Sequence, residues 1–80
     1  MARRRLPPLE ASDFLHMLSK DGWYEVKGGN HRNFKHPTKR GKAQVSMSWT
    51  GVKPGSAPWK GICAQTGWDR AYIELLHFGK

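Results

Sequence analysis

Between Gly22 and Gly51 the chain is cut repeatedly by turn chemistry, and this punctuation limits the fold more than any other feature. Trp23-Tyr24-Glu25-Val26-Lys27 is rich in β-formers and alternates in polarity. Gly28-Gly29-Asn30 follows, three residues that take positive φ at low cost. The run from His31 to His36 contains no breaker and stops at Pro37. Pro37-Thr38-Lys39-Arg40-Gly41-Lys42 is a second, strongly basic turn. Ala43 to Trp49 alternates again, with Ala43, Val45, Met47 and Trp49 on one face and Gln44, Ser46 and Ser48 on the other. Three such runs joined by short turns predict a three-stranded antiparallel meander with one apolar face.

A small meander needs cover on that face. Glu10 to Asp21 predicts a helix, with Ser12 and Asp13 at its start and Gly22 at its C′ position. Ala11, Phe14, Leu15 and Leu18 fall on one stripe, with Met17 beside it. Thr50 to Gly55 is loop. Ser56 suits the cap of a second helix that holds Pro58 in its first turn, turns Trp59, Ile62 and Cys63 inward, and ends at Gly67. Asp69 to Phe78 predicts a last short helix with Tyr72, Ile73 and Leu76 inward. The expected core is Phe14, Leu15, Leu18, Phe34, Val45, Met47 and Ile62. The fold class is therefore α+β, in the α-β-β-β-α order of the double-stranded-RNA-binding fold, with the helices on one face of the sheet. Residues 1–9 are expected to form a basic, flexible arm, and residues 10–80 a single domain.

Lys and Arg outnumber Asp and Glu by 14 to 6 in 80 residues, a net charge of +8. So positive a surface favours a polyanionic partner, nucleic acid first and an acidic protein second. A single cysteine makes no internal disulfide, and Cys63 reads as a small buried hydrophobe rather than a nucleophile. No Cys/His or acidic cluster suggests a metal, and no cofactor is expected. Arg3-Arg4-Arg5 begins like a signal peptide, but Pro7 and Pro8 stand where an apolar stretch should begin. No run approaches a membrane span, so a cytoplasmic protein is expected.

Phe34 is the one large apolar residue of the second run, so its face, shared with Arg32 and His36, should look into the core. His31, Asn33 and Lys35 then point the other way, towards water or a ligand. An imidazole just after a Gly-rich turn, flanked by Arg32 and Lys35, suits acid–base chemistry on a polyanion. The plain alternative is a solvated histidine on a basic strand; His16, off the apolar stripe of the first helix, reads simply as a surface residue.

Several stretches resemble one family. Asp13 to Trp23 resembles the opening helix of the HicA toxins, which closes on Gly and an aromatic. Gly29-Asn30-His31 is similar to their Gly-Ser-His signature, and Phe34-Lys35-His36-Pro37 to the aromatic-basic-His-Pro run that follows it. Pro54-Gly55-Ser56 and Ile62-Cys63-Ala64-Gln65-Thr66-Gly67 resemble the family's Pro-Gly-Thr and Ile-Leu-Arg-Gln-Ala-Gly patterns. This chain departs from the pattern at Asn30, in a short insertion between Ser56 and Ile62, and in having Ser48-Trp49-Thr50 where Pro and His often stand. The resemblance implies the double-stranded-RNA-binding fold and the toxin of a type II toxin–antitoxin pair. Such a toxin is an endoribonuclease that cleaves mRNA and is silenced by a HicB antitoxin. The family's essential histidine maps onto His31.

RNA carries its own nucleophile, the 2′-hydroxyl. Cleavage needs a base, for which His31 is the candidate, and positive charge around the phosphate. Lys27, Arg32, Lys35, Lys39, Arg40 and Lys42 are the candidate RNA-binding cations. The scheme needs no metal. No second acid–base residue is evident, since His36 falls on the opposite strand face. Two other readings compete: a double-stranded-RNA-binding module that does not cut, and a small basic phage or regulatory protein that occupies an acidic partner.

Overall fold

Helix α1 spans Ala11–Lys20 and is followed by strands β1 (Tyr24–Val26), β2 (Arg32–Lys35) and β3 (Ala43–Val45), then by helices α2 (Ala57–Thr66) and α3 (Arg70–Phe78). The computed structural model describes residues 6–29 and 31–79. This is the expected α-β-β-β-α order with a helical tail.

α1 forms on the stripe read from the sequence. Ala11, Phe14, Met17 and Leu18 are buried, and Leu15 packs at the margin of the core. Its cap is Glu10 rather than Ser12, and the Asp13 carboxylate reaches back 2.8 Å to accept from the Glu10 N–H. α2 starts after Ser56 with Pro58 in its first turn and stops at Gly67, whose φ of 78° is the left-handed conformation that favours glycine. The Ser56 hydroxyl donates back to the Lys53 carbonyl instead of capping the helix. The Asp69 side chain caps α3 by accepting from the Tyr72 N–H at 2.8 Å. At the other end of α3, Lys20 of α1 donates to the carbonyls of Leu76 and Gly79, placing positive charge where the helix exposes its last acceptors.

The sheet has the order β1-β2-β3, antiparallel throughout. Glu25 faces Phe34, which faces Ala43, and Arg32 faces Val45. Residues paired across an antiparallel ladder share a face. Phe34, Ala43 and Val45 therefore look into the helices, with Glu25 and Arg32 at the rim of the same face. The opposite face carries exposed Tyr24, Lys35 and Gln44. The core unites Phe14, Leu18, Phe34, Val45, Ile62 and Ile73 with Trp23, Trp59 and Trp68.

Four expectations are corrected. β3 ends at Val45, and Met47 is 53% exposed instead of buried. The Ser46 and Ser48 hydroxyls lie 2.7 Å apart, Ser46 Oγ accepts from the Ser48 N–H, and the Ser46 carbonyl accepts from the Trp49 N–H. These local bonds close a turn in place of the ladder. Tyr72 is exposed on α3 rather than inward. The packed domain begins before Glu10: Leu6 and Leu9 are buried, and Leu9 exchanges two backbone hydrogen bonds with Val52 at 2.8 and 2.9 Å. Arg3, Arg4 and Arg5 lie outside the described residues. The fourth correction is Asn33, which is 3% exposed rather than open to solvent. Among the described residues, no helix is long and apolar enough to cross a membrane.

Candidate functional site

His31 sits immediately before β2, at the end of the sheet where the β1–β2 turn closes, and it is exposed. No described residue hydrogen-bonds its ring. Asn30 beside it lies outside the described residues. The backbone of His31 is held from below. Asn33, two residues on, turns its amide under the turn and donates from Nδ2 to the His31 carbonyl at 2.8 Å. Its Oδ1 accepts from Gln44 Nε2 at 2.9 Å. Gly28 closes over this amide so tightly that a Cβ there would stand 1.7 Å from Asn33 Nδ2. Gly28 is thus required for space, and the turn, Asn33 and Gln44 together fix where His31 begins the strand.

The amide orientations follow from the backbone groups they meet. A carbonyl only accepts, so Asn33 must present its NH₂ to His31 and its oxygen to Gln44. Gln44 then donates from Nε2 and leaves Oε1 unused. The Gln44 backbone N–H, on the outer edge of β3, donates to Gln65 Oε1 of α2 at 2.8 Å. This bond covers an edge donor and leaves Gln65 Nε2 unused. α2 is in this way tied to the β3 edge, and a groove of about 370 Å³ opens between them. His31 stands at its mouth, Gln44, Ser46 and Gln65 supply polar atoms, and Trp49 and Ile62 give it apolar surface.

His31 also lines a second groove, with Lys27, Gly28, Arg32, Glu25 and Met47. Of the six candidate cations, Lys27 and Arg32 share this surface with His31. The Arg32 guanidinium is held by a two-pronged ion pair with Glu25. The bond to Arg32 brings the Glu25 carboxyl below its usual range, and the same bond raises the Arg32 guanidinium above its own. Lys35, Lys39, Arg40 and Lys42 are placed elsewhere, at the far end of β2 or in the loop that follows it. β2 is four residues long, about 13 Å of strand. The six cations therefore do not form one cluster around His31.

Lys39 is engaged in a different construction. Its Nζ lies 2.9 Å from Asp21 Oδ2, 5.8 Å from the centre of the Trp23 ring and 5.8 Å from that of Tyr72. The Asp21 carboxylate also accepts from Trp23 Nε1 and Trp68 Nε1, each at 2.9 Å, and from the Tyr72 hydroxyl. Burial alone would raise this carboxyl. Donation from Tyr72, Lys39, Trp68 and Trp23 outweighs it and lowers the pKa from 3.8 to about 2. His36 belongs to the same corner. Its Nδ1 accepts from the Thr38 N–H at 3.1 Å, so Nε2 carries the proton and donates to the Asp21 carbonyl at 2.8 Å. The ring also packs edge-on against Trp23. His36 is a structural strut, facing away from His31 as the strand alternation requires.

Cys63 is half-buried, and burial, helped by the negative charge of Asp69, pushes its thiol up, away from the nucleophilic thiolate. Among the described residues, no three His, Cys, Asp or Glu side chains converge as metal ligands. The residues that sequence reasoning missed are Asn33, Gln44 and Gln65. Only the strand register and the position of α2 bring them to His31, and neither is written in the local pattern. No family model, curated protein or solved structure matches the chain.

Proposed function

We propose that this chain is an endoribonuclease of the HicA kind, the toxin of a toxin–antitoxin pair, with His31 as general base. The observation that carries the reading is the support of His31: an exposed imidazole whose backbone is fixed by a buried Asn33 amide under Gly28. A solvated histidine of no consequence needs no such foundation. A ring on a fixed backbone, with no hydrogen-bond partner among the described residues, is suited to take the proton of a 2′-hydroxyl that approaches from either groove. Lys27 and Arg32 would meet the scissile phosphate. Lys35, Arg40 and Lys42, one strand length away, would hold flanking phosphates. Lys39, tied to Asp21, contributes to the fold before it contributes to RNA. The net charge of +8 supports a polyanionic substrate, and in the same reading the exposed face around His31 would be what a HicB-like antitoxin covers. The chemistry uses no metal.

The test is His31→Ala, assayed for folding, mRNA cleavage and growth inhibition. The ring is exposed, so stability should change by no more than about 0.5 kcal/mol. Cleavage and toxicity should be abolished, while RNA binding persists. A folded His31→Ala protein that cuts RNA at the normal rate would overturn the reading. RNA binding without cleavage by the unaltered protein would instead favour the non-catalytic binding module.

A further inference from the structure

We infer that the groove between β3 and α2 is a nucleobase subsite, which receives one unpaired base of an RNA strand whose backbone passes His31. The inference rests on the RNA-cleaving reading for its substrate class, but it stands on different atoms. The groove opens at His31 and is walled by the half-buried Trp49 indole, which Phe14 fixes from behind in an edge-to-face contact at 5.3 Å. An aromatic wall held by the core is a surface on which a base of any identity can lie.

The polar atoms are what distinguish the groove from an unoccupied apolar cleft. The backbone of His31 and Gln44 dictates both amide orientations. Gln44 Oε1 is thereby left as an acceptor, and Gln65 Nε2 as a donor, on two residues joined by a 2.8 Å hydrogen bond. Both residues line the groove, and an acceptor and a donor there suit the edge of a nucleobase, where an N–H or NH₂ stands beside a carbonyl oxygen or ring nitrogen. A volume of about 370 Å³ is ample for one base, and a base already paired in a duplex has its Watson–Crick edge occupied. The substrate class is therefore single-stranded RNA, and this separates the groove from the shape-reading of duplex RNA through phosphates and minor grooves.

Gly61 gives a clean test. It lines the groove from α2, is exposed, and has nothing within 4 Å of the position a Cβ would take. A larger side chain there fills the groove while improving the helix, since glycine is the poorer helix former. The experiment compares binding of a single-stranded RNA trinucleotide with that of the same trinucleotide lacking its middle base. Both are titrated at physiological salt into the unaltered protein, Gly61→Leu and Gly61→Ala. NMR signals of the Gln44 and Gln65 amides and the Trp49 indole report the site directly. Loss of a stacked base should weaken binding to the unaltered protein and to Gly61→Ala about tenfold. Gly61→Leu should remain folded, bind both trinucleotides equally weakly, and leave those three signals unmoved. Equal affinity of the unaltered protein for both trinucleotides, or a preference that survives Gly61→Leu, overturns the inference. A groove indifferent to both ligands overturns it as well. Binding is measured, so the outcome is independent of whether His31 cuts RNA.

Discussion

Asn33 shows how far a residue's neighbours in sequence can mislead about its surroundings. Alternation along β2 places it on the open face with Lys35, and the side chain does leave the strand on that side. It is nonetheless buried, because Gly28 folds over it and Gln44 reaches across from β3. His31 could be singled out from sequence: it follows a Gly-rich turn and stands opposite in phase to Phe34. Its support could not, since that needs the β2–β3 register. Gly28→Ala tests the arrangement. The new Cβ must displace the Asn33 amide, freeing the His31 carbonyl and the Gln44 amide. Overpacking of this kind costs about 1–3 kcal/mol. Urea unfolding should show that loss, and RNA cleavage by the folded fraction should fall further than the folded fraction itself. In an Asn33→Ala background the same substitution should cost less, because the atom it strikes is gone. Equal costs in the two backgrounds would mean that Gly28 is present for its backbone alone.

The elements themselves were largely legible, because each helix carries its own boundary chemistry. Gly67 ends α2 with positive φ, Asp69 caps α3, and the apolar stripe of α1 recurs at helical spacing. β3 was over-extended for a specific reason. Met47 and Trp49 continue the alternation, but Ser46 and Ser48 satisfy the backbone locally and turn the chain out of the sheet. The buried segment around Leu6 and Leu9 was hidden by its company of arginines and prolines, which reads as a solvated arm. Two truncations contrast these cases. Leu18 is fully buried in the core, so Leu18→Ala should cost about 2–5 kcal/mol. Met47, in the turn after β3, should tolerate alanine within about 0.5 kcal/mol. Chemical denaturation of the two variants measures the difference. A large loss from Met47→Ala would restore that residue to the core.

Over the whole molecule, Asp21 does more to join the chain than any ion pair on the surface. It stands at the end of α1, and its donors come from the start of β1, the loop after β2, the α2–α3 junction and α3. His36 adds a bond to the same residue's carbonyl. Sequence reads Tyr72 as an inward residue of the last helix, but does not show that its hydroxyl and the indole N–H groups of Trp23 and Trp68 converge on one carboxylate. Lys39, read from the sequence as an RNA contact, is drawn into the fold by it. The consequence is a stability that depends on acid in a defined direction. The native carboxyl titrates near 2, below the ordinary 3.8, so the native state releases its proton more readily than the unfolded chain. The stabilisation is complete above about pH 4 and is lost as pH falls towards 2. The displacement of the pKa corresponds to about 2 kcal/mol. Other carboxylates titrate in the same window, so the comparison must be with Asp21→Asn. That variant should be less stable at pH 6, with two indole N–H groups and an ammonium left to a neutral amide oxygen in place of a carboxylate. Its stability should also decline less between pH 4 and pH 2.5 than that of the unaltered protein, closing most of the gap. Urea midpoints at the two pH values decide the matter: parallel losses in both proteins would show that Asp21 is only one more surface carboxylate.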